Sequence, residues 1–457
     1  MNLNATPSAS PVSLIFSPER RSEPLPKTFV VGRPASLTSA SVIHGLLFPD
    51  AENRAAQAVI GCVLADIEAR TSGTEPVRAT AFLPDASRAG TQLTVVQLPP
   101  AGALTRNNHP FSPHALSEAL IDGGLLAAAR DGGVRVVVLD EEVESHMGCA
   151  AAAISRALPL YCSKTKKRSA AEMEAAATRP TLGVFVSFHN QTGEVVTNDA
   201  LCKTCNAVAE GVRLAARLGD MPPAELNPDT YAAECQAVVR ALVATGADVS
   251  FSEVKGEALR EGGYGGIYGV GMAGMHPPRM IVLRYTPGGD AGTCAEHVVL
   301  CGKGVVYDTG GLSLKPKVGM CGMKHDMGGS AGVLGAFMAA ATLRLPRRVT
   351  AILAIVENAI GPNAVRNDDI LTMKSGRTVE INNTDAEGRL ILADCVSHAS
   401  NSLDEGVDVI LDMATLTGAQ LVTTGKKHAG ILAKTKRMEE RVYNAGLRTG
   451  DLVFPML

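Results

Sequence analysis

The chain has 457 residues, 46% of them apolar and 19% charged, and a formal net charge of −3. That length exceeds what one hydrophobic core serves and predicts two domains. The near-balanced charge excludes a basic footprint for nucleic acid or for an anionic membrane surface, which points to a small-molecule partner. Aromatics make up 4% of the chain and Trp is absent, while Gly and Ala abound, as suits a closely packed α/β protein. The 10 cysteines are scattered and no basic-then-apolar leader opens the chain, so they read as reduced thiols of a cytoplasmic protein. Apolar runs such as Val349 to Val356 are shorter than the roughly 20 residues a bilayer span needs.

Taken in chain order, residues 1–36 carry Pro7, Pro11, Pro18, Pro24 and Pro26 among serines and charges, and read as a flexible tail. Over 37–195, strand-like runs at Leu93 to Leu98, Val134 to Leu139 and Leu182 to Phe188 alternate with helical stretches at Ala51 to Glu68, Leu116 to Arg130 and Cys149 to Leu158. That alternation predicts a small N-terminal α/β domain. The basic run Lys164 to Arg168 reads as a solvated loop. Residues 196–220 form a linking helix, with a clear helical pattern from Ala200 to Leu218; Cys202 and Cys205 lack a second pair at zinc spacing and read as small residues on it. Met221-Pro222-Pro223 then ends one helix and Asn227-Pro228-Asp229 starts another.

Residues 221–457 show strand candidates at Met280 to Tyr285, His297 to Cys301, Thr350 to Val356 and Val407 to Met413. Helical patterns at Pro228 to Ala244, Ser330 to Leu343 and Leu390 to Asn401 alternate with them. The prediction is an α/β catalytic domain with a mostly parallel or mixed sheet flanked by helices, whose ligand site lies beyond the carboxyl ends of strands.

The polar motifs fall at such ends. Lys303 and Asp308 follow the strand at His297 to Cys301, Asp326 precedes the helix start Gly328-Gly329-Ser330-Ala331, and Asp385 and Glu387 precede the helix near Leu390. Four carboxylates gathered from three connections would repel one another, so a bound divalent metal is the simplest way to hold them, and two would share them comfortably. Other chemistries find less support. Gly269-Val270-Gly271-Met272-Ala273-Gly274 has the dinucleotide spacing, but His276-Pro277-Pro278 obstructs the helix that should start there. Gly302-Lys303-Gly304 lacks the rest of a phosphate-binding loop, no Gly-x-Ser-x-Gly elbow occurs, and His325 has no partner nucleophile.

The segments Gly302 to Lys315, Met323 to Gly329 and above all Asn383-Thr384-Asp385-Ala386-Glu387-Gly388-Arg389-Leu390 resemble the leucine aminopeptidase (cytosol aminopeptidase) family of dinuclear zinc peptidases, over roughly Asp220 to Pro455. The resemblance implies an aminopeptidase that removes a Leu-like N-terminal residue from peptides by a water that two metals activate. It implies two divalent ions, zinc with manganese or cobalt as alternatives: a tight one on Lys303, Asp308, Asp326 and Glu387, and an exchangeable one on Asp308, Asp385 and Glu387. It assigns Lys315 to the developing oxyanion, Arg389 to a bicarbonate acting as general base, and Met323, Thr415 and Gly418 to the substrate side-chain pocket. It also implies a hexamer and a chain that continues past Leu457, so the catalytic domain is expected to be incomplete here. The competing reading is a catalytically impaired paralogue that acts by binding or regulation through oligomeric contacts.

Overall fold

The computed structural model describes residues 12–17, 25, 27–48, 53–71, 75–84, 90–99, 113–161, 183–288, 296–403 and 406–456. They form two compact α/β units. One holds 160–161 and 210–417; the other holds the described residues before 160 together with 183–209 and 418–456. The division falls inside the helix Asp199–Asp220, and residues 418–456 group with the N-terminal residues rather than with 210–417, unlike the expected limits.

The N-terminal unit is built on a six-stranded sheet of β1 (Ser13–Phe16), β2 (Lys27–Gly32), β3 (Val77–Leu83), β4 (Thr91–Gln97), β5 (Val134–Leu139) and β6 (Gly183–His189). The spatial order is β1-β6-β5-β2-β4-β3, parallel except for the antiparallel edge pair β3 and β4. The expectation of a flexible tail through residue 36 is thereby corrected. β2 is an interior strand, and Val30 and Val31 are fully buried toward its two opposite faces. Prolines just upstream masked the apolar run Phe29-Val30-Val31, whose side chains are buried on both faces of a parallel strand. The helical pattern from Leu116 to Arg130 is two helices, Pro113–Asp122 and Leu125–Arg130, parted at Gly124 with φ 76°. The run Lys164 to Arg168 lies outside the described residues.

The second unit carries a five-stranded mixed sheet of β7 (Asp248–Lys255), β8 (Arg279–Thr286), β9 (His297–Asp308), β10 (Arg348–Asn358) and β13 (Val409–Met413), in the order β13-β9-β10-β8-β7. β9 is parallel to both β10 and β13, whereas β8 runs against both β10 and β7. The small hairpin β11 (Ile370–Thr372) and β12 (Thr378–Glu380) lies outside this sheet, and in the other unit β14 (Ala429–Ile431) pairs with β15 (Val453–Pro455).

Alternation along the strands divides the core. Ile281, Leu283, Ala351, Leu353 and Ile355 face the helices Pro228–Ala244 and Gly328–Thr342. Met280, Val282, Cys301, Ile352, Ala354 and Val356 face the helices Gly265–Gly271 and Glu387–Asn401. The helix Pro228–Ala244 starts where the Asn-Pro-Asp turn predicts. Asn227 accepts from the backbone N–H groups of Asp229 and Thr230, and Thr230 answers with its hydroxyl in a capping box. The glycine run at Gly269 and Gly271 ends a helix instead of opening one, the reverse of the dinucleotide arrangement. No described helix is long and apolar enough to cross a membrane.

Candidate metal centre

The site begins with the register of β9. The strand does not stop at Cys301 but runs on to Asp308, so Lys303 lies within it, opposite Ala354 of β10. Period two turns Lys303 toward the helix Glu387–Asn401, where the Lys303 stem packs against Gly388, and turns Gly302 toward the helix Gly328–Thr342. A Cβ on Gly302 would stand 2.6 Å from the Ser330 Cα, so only glycine lets that helix lie on the strand. Between Val305 and Asp308 the register slips: Val356 pairs with Val305, but Asn358 pairs with Asp308. The extra residue in β9 is a bulge, and by reversing the alternation it brings Asp308 to the face that already carries Lys303.

Beyond Asp308 the chain doubles back through Gly310 and Gly311, with φ of 86° and 61°, a conformation that residues with side chains rarely adopt. The return carries Lys315 over the carboxylates: its Nζ is 2.8 Å from Asp308 Oδ2 and 2.5 Å from Asp385 Oδ1. Lys303 Nζ lies 2.8 Å from Asp326 Oδ1 and 2.9 Å from Glu387 Oε1, and donates to the Thr415 carbonyl at 3.0 Å. Oxygens of Asp308, Asp385 and Glu387 all fall within 4.8 Å of one another. Lys303, Asp308, Asp326 and Glu387 are buried.

Four acids and two lysines thus share a small volume, and their proton affinities reflect it. Burial pushes the Asp326 carboxyl up to about 7 against the opposing charge of Lys303. Burial likewise raises Glu387, with Lys303 opposing and Asp308 adding to the rise. Burial pulls the Lys303 ammonium down, but the charges of Glu387 and Asp326 outweigh it and leave its affinity raised. Lys315 is raised in the same way, by hydrogen bonds to Asp308 and Asp385 that outweigh burial. Besides Asp385 Oδ1, which has only the Lys315 ammonium beside it, two oxygens stay unanswered: Asp326 Oδ2 and Glu387 Oε2 are buried without a hydrogen-bond partner among the described residues. A buried carboxylate oxygen without a donor is costly, and a cation is what such a pair of atoms lacks.

Of the residues singled out by sequence, Lys303, Asp308, Lys315, Asp326, Asp385 and Glu387 come together in one cluster. Thr415 joins them, its hydroxyl donating to Asp326 Oδ1 at 2.8 Å. Met323 is half-buried in the turn that leads into Asp326, and Arg389 is exposed in the first turn of the helix Glu387–Asn401. Gly418 belongs to the other compact unit.

Two polar residues of the cluster had no role in the sequence reading. Thr384 accepts from Ser313 N at 2.7 Å and donates to the Gly310 carbonyl at 2.7 Å. Asn358, at the end of β10, donates to Asp308 Oδ1 at 2.8 Å and to the Thr384 carbonyl at 3.1 Å. The signal for Asn358 was a polar residue closing the apolar strand Thr350 to Val356; nothing local tied it to Asp308, fifty residues away in sequence.

A sequence profile of the cytosol aminopeptidase family, catalytic domain, matches residues 213–457. The probable aminopeptidase NPEPL1 of Mus musculus is 42% identical over 364 residues, which take in 80% of this chain and 64% of that protein. Leucine aminopeptidase 1 of Caenorhabditis elegans is 47% identical over 250 residues, 55% of this chain and 49% of that protein. Among solved structures, a leucyl aminopeptidase of Trypanosoma brucei in complex with actinonin superposes with a TM-score of 0.79 at 33% identity, over 99% of this chain and 82% of that one.

Proposed function

The chain belongs to the cytosol aminopeptidase family, and from that premise we propose that it is a metal-dependent aminopeptidase that hydrolyses a Leu-like N-terminal residue from peptides. The observation that carries this reading is the convergence of Asp308, Asp385 and Glu387 within 4.8 Å beside Lys303, Lys315 and Asp326. The donor set fits a pair of divalent ions. The unpartnered oxygens of Asp326 and Glu387 supply acceptors, and carboxylates with one amine suit zinc or manganese. Lys303, Asp308, Asp326 and Glu387 would hold one ion, and Asp308, Asp385 and Glu387 the other. Bound there, the ions would supply Lewis acidity toward the scissile carbonyl and acidify a water to near neutrality.

The chain's own residues account for the rest. Lys303 offers a lone pair only after losing its proton, so uptake of an ion releases a proton and is favoured as pH rises. Lys315 keeps its proton and puts positive charge where negative charge develops on the carbonyl oxygen. Asp326 accepts from the free α-amine of the substrate, which restricts cleavage to the first residue. Arg389, exposed in the first turn of its helix, would hold bicarbonate as the general base, and Met323 and Thr415 would contact the departing residue's side chain.

The chain spans less than two thirds of the length of the NPEPL1 relatives it matches, so activity of this chain is the quantity to measure. Release of leucine from a leucyl amide is expected to vanish on chelation, to return with zinc, manganese or cobalt, and to be absent in Asp385→Ala. A folded chain that binds two ions and releases no leucine would instead favour the impaired paralogue. The Trypanosoma brucei enzyme has been solved with bestatin as well as actinonin; the metal-loaded chain is expected to melt at a higher temperature with either compound present, and the chelated chain is not.

A further inference from the structure

We infer that Asn358 is a positioning residue of the metal centre, which determines the oxygen that Asp308 presents to the ions. The inference rests on the metal reading of the site. Asn358 is 2% exposed, and its carboxamide nitrogen makes both of the donations it can make: to Asp308 Oδ1 at 2.8 Å and to the Thr384 carbonyl at 3.1 Å. The Gly310 N–H donates to the same Oδ1 at 2.9 Å. Two donors therefore occupy Oδ1, and Oδ2, which faces Lys315 at 2.8 Å, is the oxygen left for a cation.

The backbone of Asn358 is engaged as well. Its carbonyl accepts from Thr309 N at 3.1 Å and from Thr309 Oγ1 at 2.7 Å, which holds the chain where it leaves β9. The second amide hydrogen, on the Thr384 carbonyl, ties this strand end to the residue just before Asp385. One side chain thus joins the two segments that supply Asp308 and Asp385. The bulge gives it that place, because Asn358 stands opposite Asp308 only through the one-residue slip in β9. Buried polar groups bound to a ligand's far oxygen set the ligand's orientation and tune its affinity.

The test is ion affinity, measured by chelator competition with zinc and with manganese on the metal-free chain. Asn358→Ala is expected to bind about 10- to 100-fold more weakly, with a far-ultraviolet circular dichroism spectrum like that of the wild type. Asn358→Ser, whose hydroxyl can donate to one acceptor, is expected to recover part of the loss and carries the test if the alanine variant does not fold. Turnover should fall through kcat with KM little changed, because the buried carboxamide spends both of its hydrogens on Asp308 and Thr384. A lowered melting temperature with wild-type ion affinity in the folded variant would mean a structural role and overturn the inference. A wild-type chain that takes up no ion would remove the metal reading and this inference with it; wild-type uptake with unchanged affinity in the variants removes this inference alone.

Discussion

Lys303 is buried at 2% exposure between Asp326 and Glu387, and without an ion its ammonium is the only countercharge that both carboxylates touch among the described residues. Lys303→Met should therefore destabilise the metal-free chain by about 3–5 kcal/mol, the usual result of stranding buried charge, and the loss should appear in urea denaturation. In the N-terminal unit, Asp140 pairs with Arg33 and with His146 and is fully buried. Burial opposes its ionisation, but the bond and charge of His146, with Arg33, outweigh it and depress its pKa. A depressed carboxyl contributes stability above its unfolded pKa and loses it as pH falls through the folded one. The gap in melting temperature between the wild type and Asp140→Asn should accordingly be widest near neutral pH and close below about pH 4. A gap that stays constant down to pH 2 would refute the assignment.

The contact between β9 and the helix Gly328–Thr342 depends on the absence of a side chain at Gly302. Gly302→Ala is expected to push that helix off the strand and to cost about 1–3 kcal/mol. Because Asp326 precedes that helix, ion affinity should drop with it. The capping box of the helix Pro228–Ala244 gives a milder case: Asn227→Ala leaves two backbone N–H groups without their acceptor, and a loss of about 1 kcal/mol in denaturation midpoints is expected. These elements were readable in the sequence to different depths. Asn-Pro-Asp announces its helix by local chemistry alone, whereas His297 to Cys301 read as a short strand because Gly302-Lys303-Gly304 breaks the apolar run. A glycine within a strand can mean close approach of another backbone, and for Gly302 that neighbour, Ser330, is invisible to a local window.

Lys303, Asp308, Lys315, Asp326, Asp385 and Glu387 all lie in one compact unit, so ions held there would stabilise that unit. Ligands that bind only the folded state add about 2.7 kcal/mol at a hundred times their Kd. Hydrogen exchange should accordingly slow on addition of zinc or manganese around 302–315, 326–342 and 384–395. Exchange in the sheet of β1 to β6, which holds none of the six charged residues, should not change. Slowing spread evenly over both units would mean that the ions act elsewhere.

By itself the sequence determined which residue types are present and in what local order: the paired acids of Asn383 to Leu390, the glycine-flanked Lys303, and a βα alternation that calls for a layered α/β fold. Those are consequences of periodicity and turn chemistry, which act over a few residues. Only the tertiary structure decided that β2 sits inside a sheet despite the prolines before it, and that residues 418–456 join the N-terminal unit. It also decided that a bulge in β9 turns Asp308 onto the face of Lys303, with Asn358 behind it. The reason is that strand pairing, register and burial are settled between segments tens to hundreds of residues apart, where no local pattern carries the information.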